Sequence, residues 1–208
     1  TEPRVGEVYV MSQPTLYIRD VVHNTRADVA LQQVNVDLGF VVKTESLNAK
    51  KARIHYEIIV SDTVLVTYGH QDVVLDMKRE DTVKVVTKIP YENLWSVDNP
   101  LRYRLNLKTQ IEGRYVEYQT HMLGFRDLAY EDGALYVNGI KTEPNFKDVD
   151  ARTVTDKDIV AARAAKYNGV RFLNAAVPYE LYRMCDSLGM YVSIAVPINT
   201  RNSGASRR

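Results

Sequence analysis

Four histidines and one cysteine are the side chains of this sequence most able to bind a metal or attack a substrate. His23, His55, His70 and His121 are isolated from one another, and none has the close spacing of a helical metal-binding pair such as His-Glu-x-x-His. Cys185 falls on the apolar face of a predicted helix, where a buried structural thiol is expected rather than a nucleophile. The sequence therefore predicts no metal site, no cofactor and no thiol chemistry.

Tyrosines and charged clusters are the other residues that could contribute to a site. The 14 tyrosines are scattered along predicted strands. Tyr115 and Tyr118 are expected to fill surfaces of a β-sandwich rather than to stack on sugars or bases. The segments Asp76–Asp81 and Lys147–Asp158 mix both signs of charge and are expected to be solvated turns and helix caps. Neither a Gly-x-Ser-x-Gly nucleophile motif nor a glycine-rich phosphate loop occurs in the sequence.

The composition is that of a folded globular protein. Hydrophobic residues make up 45% of the 208 residues and charged residues 25%, which argues against a disordered chain. The formal net charge of +1 gives no electrostatic argument for binding nucleic acid or an anionic membrane. No apolar run approaches the roughly 18 residues of a membrane-spanning helix. The sequence begins at Thr1 without a basic and apolar leader, which we interpret as a processed or excised piece of a longer protein.

Before about residue 125 the hydrophobic pattern has a period of two, which is typical of half-buried strands. Seven to eight such segments at roughly ten-residue spacing, without a helical stretch between them, predict an antiparallel β-sandwich of immunoglobulin-like size. The shorter β-rich runs are Thr15–Val21, Val64–Tyr68, Asp72–Leu75, Thr82–Ile89 and Arg114–Met122. The side chains predicted to face the core are Val36, Leu38, Phe40, Ile54, Tyr56, Ile58, Leu105 and Leu107.

After residue 125 the pattern changes to alternating helices and strands. A hairpin is predicted around Ala134–Val137, flanked by Asp-Gly and Asn-Gly pairs. A helix is expected to begin at Thr155, with Asp158 completing a capping box, and a second at Pro178. Each is followed by a glycine and an apolar strand, Val170–Leu173 and Met190–Ile198. This order predicts a parallel α/β sheet, the opening part of a barrel that needs roughly 250 residues when complete.

Five ordered motifs between residues 94 and 192 carry a resemblance to a known family. They are Leu94–Tyr103, reading LWSVDNPLRY; Gly124–Arg126, reading GFR; Asp132–Lys141, reading DGALYVNGIK; Asp158 with Asn168–Arg171, reading NGVR; and Tyr182–Asp186, reading YRMCD. The chain resembles glycoside hydrolase family 2, which contains β-galactosidases, β-mannosidases and β-glucuronidases. The first 90 residues match that family only in their strand pattern.

The resemblance implies a mainly β chain with two parts. Residues 1–123 correspond to an immunoglobulin-like β-sandwich domain and residues 124–208 to the N-terminal portion of a (β/α)8 glycosidase barrel. Members are retaining glycosidases in which two carboxylates act as nucleophile and acid/base. Both are glutamates on later barrel strands, so the resemblance implies no catalytic residue within this chain. It implies substrate-binding roles for Arg171, which matches the family arginine near the nucleophile, and for Asn174. Because barrel enzymes place their chemistry at the carboxyl ends of strands, we expect Arg171 at that end of its strand with Asn174 nearby.

The chain departs from the family pattern at three places. Asn174 stands where the family has a histidine, and an amide cannot titrate near neutral pH. Ala195 stands where a glutamate commonly closes the next strand. The segment that forms the first barrel strand of the family is reduced to Thr142–Asp150. These departures leave open a change in substrate specificity or a loss of catalysis in the longer parent protein.

Three interpretations follow from the sequence. The leading one is a fragment of a family-2-like glycoside hydrolase of the β-galactosidase type, which acts in carbohydrate metabolism and to which this portion contributes scaffold and one wall of the sugar site. Its expected partners are a carbohydrate substrate and the remaining barrel and sugar-binding domains of the same chain. A homo-oligomer and a periplasmic or secreted location are also expected. The alternatives are a non-catalytic carbohydrate-binding or interaction module of a degenerate relative, and an adhesion module with an unrelated α/β tail.

Overall fold

A computed structural model of the chain describes residues 10, 12–61, 63–76, 79–174 and 176–195. The predicted strand end at residues 196–198 and the polar tail after it lie outside these residues. The chain divides into two compact units. The first comprises the described residues among 10–24, 35–88 and 103–123, and the second those among 25–34, 89–102 and 124–195.

Seven strands form the two sheets of a β-sandwich. The strands are β1 (Leu16–Asp28), β2 (Gln33–Thr44), β3 (Lys50–Val60), β4 (Val64–Leu75), β5 (Glu80–Pro90), β6 (Tyr103–Ile111) and β7 (Arg114–Leu123). One sheet has the order β1-β2-β5 and the other the order β4-β3-β6-β7. All pairs in the four-stranded sheet are antiparallel. The predicted β-sandwich is therefore confirmed, and its seven strands agree with the seven to eight that the sequence predicted.

The period-two pattern produces the core of the sandwich as predicted. Of the eight side chains expected to face inward, seven are at most 2% exposed, and only Tyr56 is half-buried. The ring of Tyr56 lies 6.0 Å from that of Phe40 in the opposite sheet. One prediction is wrong: the runs proposed at Val64–Tyr68 and Asp72–Leu75 belong to the single strand β4, because Gly69 does not interrupt its pairing with β3.

A three-stranded antiparallel sheet follows in the second unit, with β8 (Leu128–Glu131), β9 (Ala134–Val137) and β10 (Ile140–Thr142). Its two turns confirm the predicted hairpin. Asp132 and Asn138 have φ values of 48° and 54°, and the glycine after each is also left-handed. Two consecutive left-handed residues match the twist of a hairpin, which explains the Asp-Gly and Asn-Gly pairs.

Three parallel strands and two helices complete the second unit. They are β11 (Phe146–Asp150), α1 (Asp156–Ala164), β12 (Gly169–Leu173), α2 (Tyr179–Leu188) and β13 (Tyr191–Ile194). The sheet order is β11-β12-β13, and both pairs are parallel. The predicted helices and parallel strands are confirmed. The expectation of solvated turns over Lys147–Asp158 is wrong for its first four residues, which lie in β11.

Both helices pack against the same side of this sheet. Val170 and Phe172 of β12 share a buried apolar cluster with Ile159 of α1 and with Leu181 and Cys185 of α2. Val149 of β11 and Val192 of β13 pack against the same cluster. Because side chains alternate along a strand, the residues between these apolar positions face the other side of the sheet. The helices therefore cover one side, and within the described part of the chain the other side has no helical cover.

The ends of the helices follow the sequence signals. Oδ2 of Asp158 accepts hydrogen bonds from the backbone N–H and the hydroxyl of Thr155, at 2.8 and 2.7 Å, which fixes the start of α1. Helix α2 ends at Gly189, whose φ of 68° is left-handed. A side chain at Gly189 would collide with the backbone of Val97, so this position requires glycine in two ways. Among the described residues, no helix has the length and apolar character needed to cross a membrane.

Candidate active-site face of the parallel sheet

The side of the parallel sheet that lacks helical cover carries polar side chains in register. Asp148 of β11 is paired with Arg171 of β12, which is paired in turn with Ser193 of β13. One step further toward the carboxyl ends, Asp150 is paired with Leu173. We call this side of the sheet the open face; its described members are Phe146, Asp148, Asp150, Gly169, Arg171, Leu173, Tyr191 and Ser193.

Arg171 lies in the middle of the open face. Its Nη1 is 3.5 Å from Oδ1 of Asp148, and both side chains are about half exposed. Its guanidinium carbon lies 5.6 Å from the centre of the Phe146 ring. The ring of Phe146 in turn covers Gly169, where an added Cβ would approach it to 2.6 Å. The cross-strand carboxylate and the ring therefore hold the guanidinium over the sheet, with its fork of donors open to solvent.

Asn174 follows β12 directly and contacts the neighbouring strand. Its Nδ2 donates to Oδ2 of Asp150 over 3.0 Å, and its backbone is left-handed with a φ of 73°. Asparagine tolerates this backbone better than most residues because its short polar side chain bonds locally. The contact joins the carboxyl ends of β11 and β12.

Asp150 is held in its charged form. Three donors of Arg152, the backbone N–H, Nε and Nη2, lie 2.9, 3.0 and 2.6 Å from its oxygens. These bonds, chiefly those from the Arg152 side chain, place the pKa of Asp150 far below its ordinary value, and Asn174 lowers it further. A carboxylate with so low a pKa cannot deliver a proton near neutral pH. Asp150 can therefore orient donors or accept hydrogen bonds, but it cannot serve as a general acid.

The structure places the two predicted site residues differently: Arg171 lies on the open face, and Asn174 directly follows β12. Arg171 was expected at the carboxyl end of its strand; it is the third of the five residues of β12. Asn174 does lie beyond the carboxyl end of β12, and Ala195 directly follows β13. Asp150 links to Asn174, whereas Arg171 contacts Asp148. A substrate-binding role for Arg171 and Asn174 stays a prediction.

Sequence reasoning missed the two carboxylates of the open face. Asp148 and Asp150 were assigned to a solvated charged cluster, because Lys147–Asp158 mixes both signs. The signal that could have identified them is their period of two with Val149 between them, immediately before a helix cap. That pattern is typical of a short strand with one polar side.

A second group of polar residues surrounds Trp95 in the same unit. The indole Nε1 donates to the backbone oxygen of Asp186 over 2.8 Å, and Trp95 is 1% exposed. The buried Asn138 donates through Nδ2 to the Trp95 oxygen over 3.0 Å and accepts at Oδ1 from the N–H of Asp127. The guanidinium of Arg126 lies 4.9 Å from the centre of the indole. We call Trp95, Arg126, Asp127, Asn138 and Asp186 the Trp95 junction.

The Trp95 junction borders a cavity of about 310 Å³. Trp95, Arg126 and Asp186 line it together with Phe146 and Tyr191, which lie at the amino ends of their strands. Burial raises the pKa of Asp186, partly offset by the charge of Arg126, whose Nη1 is 3.9 Å from Oδ1. Parallel α/β folds place their chemistry at the carboxyl ends of strands, so this cavity lies at the opposite end from the expected site.

The four histidines and Cys185 were the candidates for metal binding and nucleophilic chemistry. Among the described residues, no group of three or more histidine, cysteine, aspartate or glutamate side chains is arranged to hold a metal ion. Cys185 is fully buried, and burial raises the pKa of its thiol to about 12. A thiol with that pKa is protonated at neutral pH and is a poor nucleophile. The prediction of a buried structural thiol is confirmed.

The family assignment comes from comparison with known proteins. The sequence profile described as "Glycosyl hydrolases family 2" matches residues 16–126, which include the sandwich and the GFR motif. A β-galactosidase of Halalkalibacterium halodurans is 24% identical over 95% of this chain. The alignment covers 20% of that enzyme, so the chain spans about a fifth of the length of this relative.

Solved structures show the same fold. A glycosyl hydrolase family 2 member from Bacteroides cellulosilyticus matches 86% of this chain and 26% of its own, with a TM-score of 0.77 and 20% identity. A β-glucuronidase of Bacteroides uniformis matches 89% of this chain and 25% of its own, with a TM-score of 0.75 and 17% identity. Because the family profile covers more than half of the chain, the chain belongs to glycosyl hydrolase family 2.

Proposed function

We propose that this chain is part of a retaining β-glycosidase. In this proposal residues 1–123 are its immunoglobulin-like domain and residues 124–208 are the first part of its (β/α)8 catalytic barrel. The longer protein hydrolyses O-glycosidic bonds, and this portion supplies scaffold and one wall of the sugar site.

The observation that carries the proposal is the winding of the parallel sheet. Strands β11, β12 and β13 are neighbours in chain order, and both connecting helices lie on the same side. A (β/α)8 barrel places every helix outside and leaves the inner side to strand residues. One half of a doubly wound sheet has the same local winding, and membership of glycosyl hydrolase family 2 favours the barrel. The open face then corresponds to the inside of the barrel.

The chemistry of the open face supports a polar ligand. A buried side of a sheet normally carries apolar residues, but here Asp148, Arg171 and Ser193 form a polar row. Arg171 offers a rigid fork of donors to a sugar hydroxyl or to a neighbouring carboxylate. In this proposal Asn174, held by Asp150 at the carboxyl ends, lies where barrel enzymes bind their substrates.

The catalytic carboxylates lie outside this chain in the proposal. Retaining hydrolysis needs a nucleophile and an acid/base about 5–5.5 Å apart, and the acid must have a raised pKa. Asp150 has the opposite shift. The purified 208-residue chain should therefore not hydrolyse nitrophenyl glycosides, and the longer protein should.

The substrate class rests on the named relatives. The matched protein of Halalkalibacterium halodurans is a β-galactosidase, and a matched structure is a β-glucuronidase. We propose a β-galactoside as substrate. The β-glucuronide carries a carboxylate that Arg171 could also bind, so both belong in the test panel, with a β-mannoside.

The test is steady-state kinetics of the full-length protein that contains this chain. Arg171→Ala should lower kcat/KM about tenfold to a hundredfold, which is about 1.4–2.8 kcal/mol of transition-state stabilisation. Arg183→Ala, which removes an exposed arginine of α2 on the helical side, should change it less than about twofold. Equal kinetics of both variants, or turnover by the isolated chain that is lost when one of its own carboxylates is changed, would overturn the proposal.

A further inference from the structure

Three tyrosines are exposed on the outer face of the sheet β4-β3-β6-β7 in the first unit. Tyr68, Tyr115 and Tyr118 are 73%, 47% and 66% exposed. The sequence analysis expected Tyr115 and Tyr118 to fill surfaces of the sandwich; instead they extend from it into solvent. A cluster of large aromatic side chains in solvent is uncommon on a folded protein and marks a binding surface.

The strand register places polar side chains between these rings. Tyr68 of β4 is paired with Glu57 of β3, which is paired with Asn106 of β6, which is paired with Thr120 of β7. In the neighbouring row His55 is paired with Lys108. The side chains of β3 and β6 in these rows point outward from the sheet, because the positions that alternate with them form the core. Their register partners Tyr68 and Thr120 lie on the same side.

A hollow of about 280 Å³ opens on this face. The rings of Tyr68 and Tyr115 border it, and Glu57, Asn106 and Lys108 line it between them. Its size is at the small end of ligand-binding pockets, and its lining combines aromatic surface with a few converging polar groups.

The side chains of the hollow are already ordered. The ring of Tyr115 lies 5.5 Å from that of His55 and 6.0 Å from that of Tyr118, and Nζ of Lys108 is 6.0 Å from its centre. Thr120 donates to Oδ1 of Asn106 over 3.1 Å. Groups held in place before binding lose less conformational entropy when a ligand arrives.

The amide of Asn106 is oriented from both sides. It accepts from Thr120 at Oδ1 and donates through Nδ2 to Oε2 of Glu57 over 2.9 Å. The hollow contains one carboxylate and one ammonium group, from Glu57 and Lys108. It therefore offers donors and acceptors without an excess of either charge.

From these observations we propose that the outer face of the four-stranded sheet binds a saccharide, with pyranose rings stacked on Tyr68 and Tyr115. The C–H groups on one side of a pyranose pack on an aromatic ring. Its hydroxyls both donate and accept hydrogen bonds, so they can donate to Glu57, accept from Lys108 and do either with Asn106. A nucleic acid could also stack on tyrosine, but it needs an excess of basic groups, whereas the hollow combines the ammonium group of Lys108 with the carboxylate of Glu57. The site is separate from the open face and does not rest on the proposed glycosidase function.

The test is an NMR titration of the isotopically labelled 208-residue chain. The probes are β-1,4-linked oligosaccharides of glucose, galactose, xylose and mannose. Binding by at least one probe should shift the amide signals of Glu57, Asn106 and Lys108. Tyr68→Ala and Tyr115→Ala should each weaken that binding about tenfold, and Tyr68→Phe should retain it.

Tyr130→Ala is the matched control, because Tyr130 is 74% exposed on β8 of the other unit; it should bind like the unaltered chain. The proposal is overturned if no oligosaccharide shifts these amide signals at a concentration of about 10 mM, which corresponds to the weakest affinity expected of a binding site. It is also overturned if both alanine variants bind as tightly as the unaltered chain. If a tyrosine-to-alanine variant does not fold, the chemical-shift changes of the unaltered chain are the deciding measurement. Changes that are largest away from this face would contradict the proposal.

Discussion

The Trp95 junction and the open face lie in the same unit but differ in the burial of their polar side chains. In the junction, Trp95 and Asn138 are buried, and their side-chain donors bond to backbone oxygens. On the open face, the Arg171 and Asp148 side chains are about half exposed and 3.5 Å apart. Buried polar groups must be paired to avoid a desolvation cost, whereas exposed ones keep donors available for a ligand.

The two regions also differ in their relation to the family motifs. The LWS, GFR, NG and CD motifs that carry the resemblance meet in the Trp95 junction, where they bond to one another. Their residue types are set by packing and hydrogen bonding. In the proposed function the open face binds the substrate, and Asn174, one of the three departures from the family pattern, lies at the carboxyl end of β12.

The largest expected effect comes from removing the indole of the junction. Trp95→Ala should lower the free energy of unfolding by about 3–5 kcal/mol, because it leaves a cavity and an unpaired backbone oxygen at Asp186. Trp95→Phe should cost less, because it keeps most of the apolar contact. Urea denaturation of the isolated chain measures both, and a loss below about 1 kcal/mol for the alanine variant would contradict the structural role of the junction.

The next effect concerns the buried amide at Asn138. Asn138→Ala should destabilise the chain by about 2–3 kcal/mol, because the Trp95 oxygen and the Asp127 N–H lose their partner and alanine tolerates the φ of 54° poorly. Asn138→Asp keeps the acceptor and a tolerated backbone but places a carboxylate oxygen against the Trp95 oxygen in a buried site, so it should cost at least as much as alanine. Denaturation midpoints in the same buffer rank the stability of the two variants and the unaltered chain. An alanine variant as stable as the unaltered chain would show that the hydrogen bonds of Asn138 contribute little.

The two regions should also respond to pH with opposite signs. The pKa of Asp186 is raised by burial, so its ionisation costs stability as the pH rises through the ordinary range of an aspartate. The pKa of Asp150 is lowered, mainly by hydrogen bonds from Arg152, so Asp150 contributes stability above its ordinary pKa and loses it as the pH falls.

The asparagine variants isolate these two contributions. As the pH rises from 3 to 6, the free energy of unfolding of Asp186→Asn should increase relative to that of the unaltered chain, by less than about 1 kcal/mol after solvent screening. Over the same rise in pH, the free energy of unfolding of Asp150→Asn should decrease relative to that of the unaltered chain. Thermal unfolding at a series of pH values measures both slopes, and slopes of the same sign would contradict the contrast between the regions.

The smallest effect on stability is expected at Arg171. Its ion pair with Asp148 is long and half exposed, so Arg171→Ala should change the free energy of unfolding by less than about 0.5 kcal/mol. The same denaturation series supplies the measurement. A loss above about 1.5 kcal/mol would mean that Arg171 holds the sheet together, and its place in a binding face would then need other support.

The sequence predicted those parts of the fold that local physics determines. Period-two hydrophobicity identified the inward side chains of β2, β3 and β6, and the Asp-Gly and Asn-Gly pairs identified the hairpin turns. The capping box at Thr155 and the glycine at 189 identified the ends of the helices. Each of these signals acts within a few residues of the chain.

The missed features depend on contacts distant in sequence. The parallel pairing of β11 with β12 decides that Asp148 meets Arg171, and the Asn174 contact to Asp150 spans 24 positions. Mixed charge over Lys147–Asp158 concealed a five-residue strand, because short polar strands lack a strong period. The exposure of Tyr115 and Tyr118 was missed for a related reason: alternation shows that two sides of a strand differ, but not which tyrosines extend beyond the surface.

The central claim is that the open face forms the inner, sugar-binding side of a barrel in the full-length protein. The most direct test is the rate of thiol alkylation at Ser193→Cys, read by mass spectrometry of that peptide with and without a β-galactoside-type inhibitor. Arg183→Cys on the helical side is the control, and Cys185 should remain unlabelled because it is buried and its pKa is about 12. We expect the inhibitor to slow labelling at position 193 at least about tenfold and to leave position 183 unchanged. Equal rates at both positions, unaffected by the inhibitor, would contradict the claim.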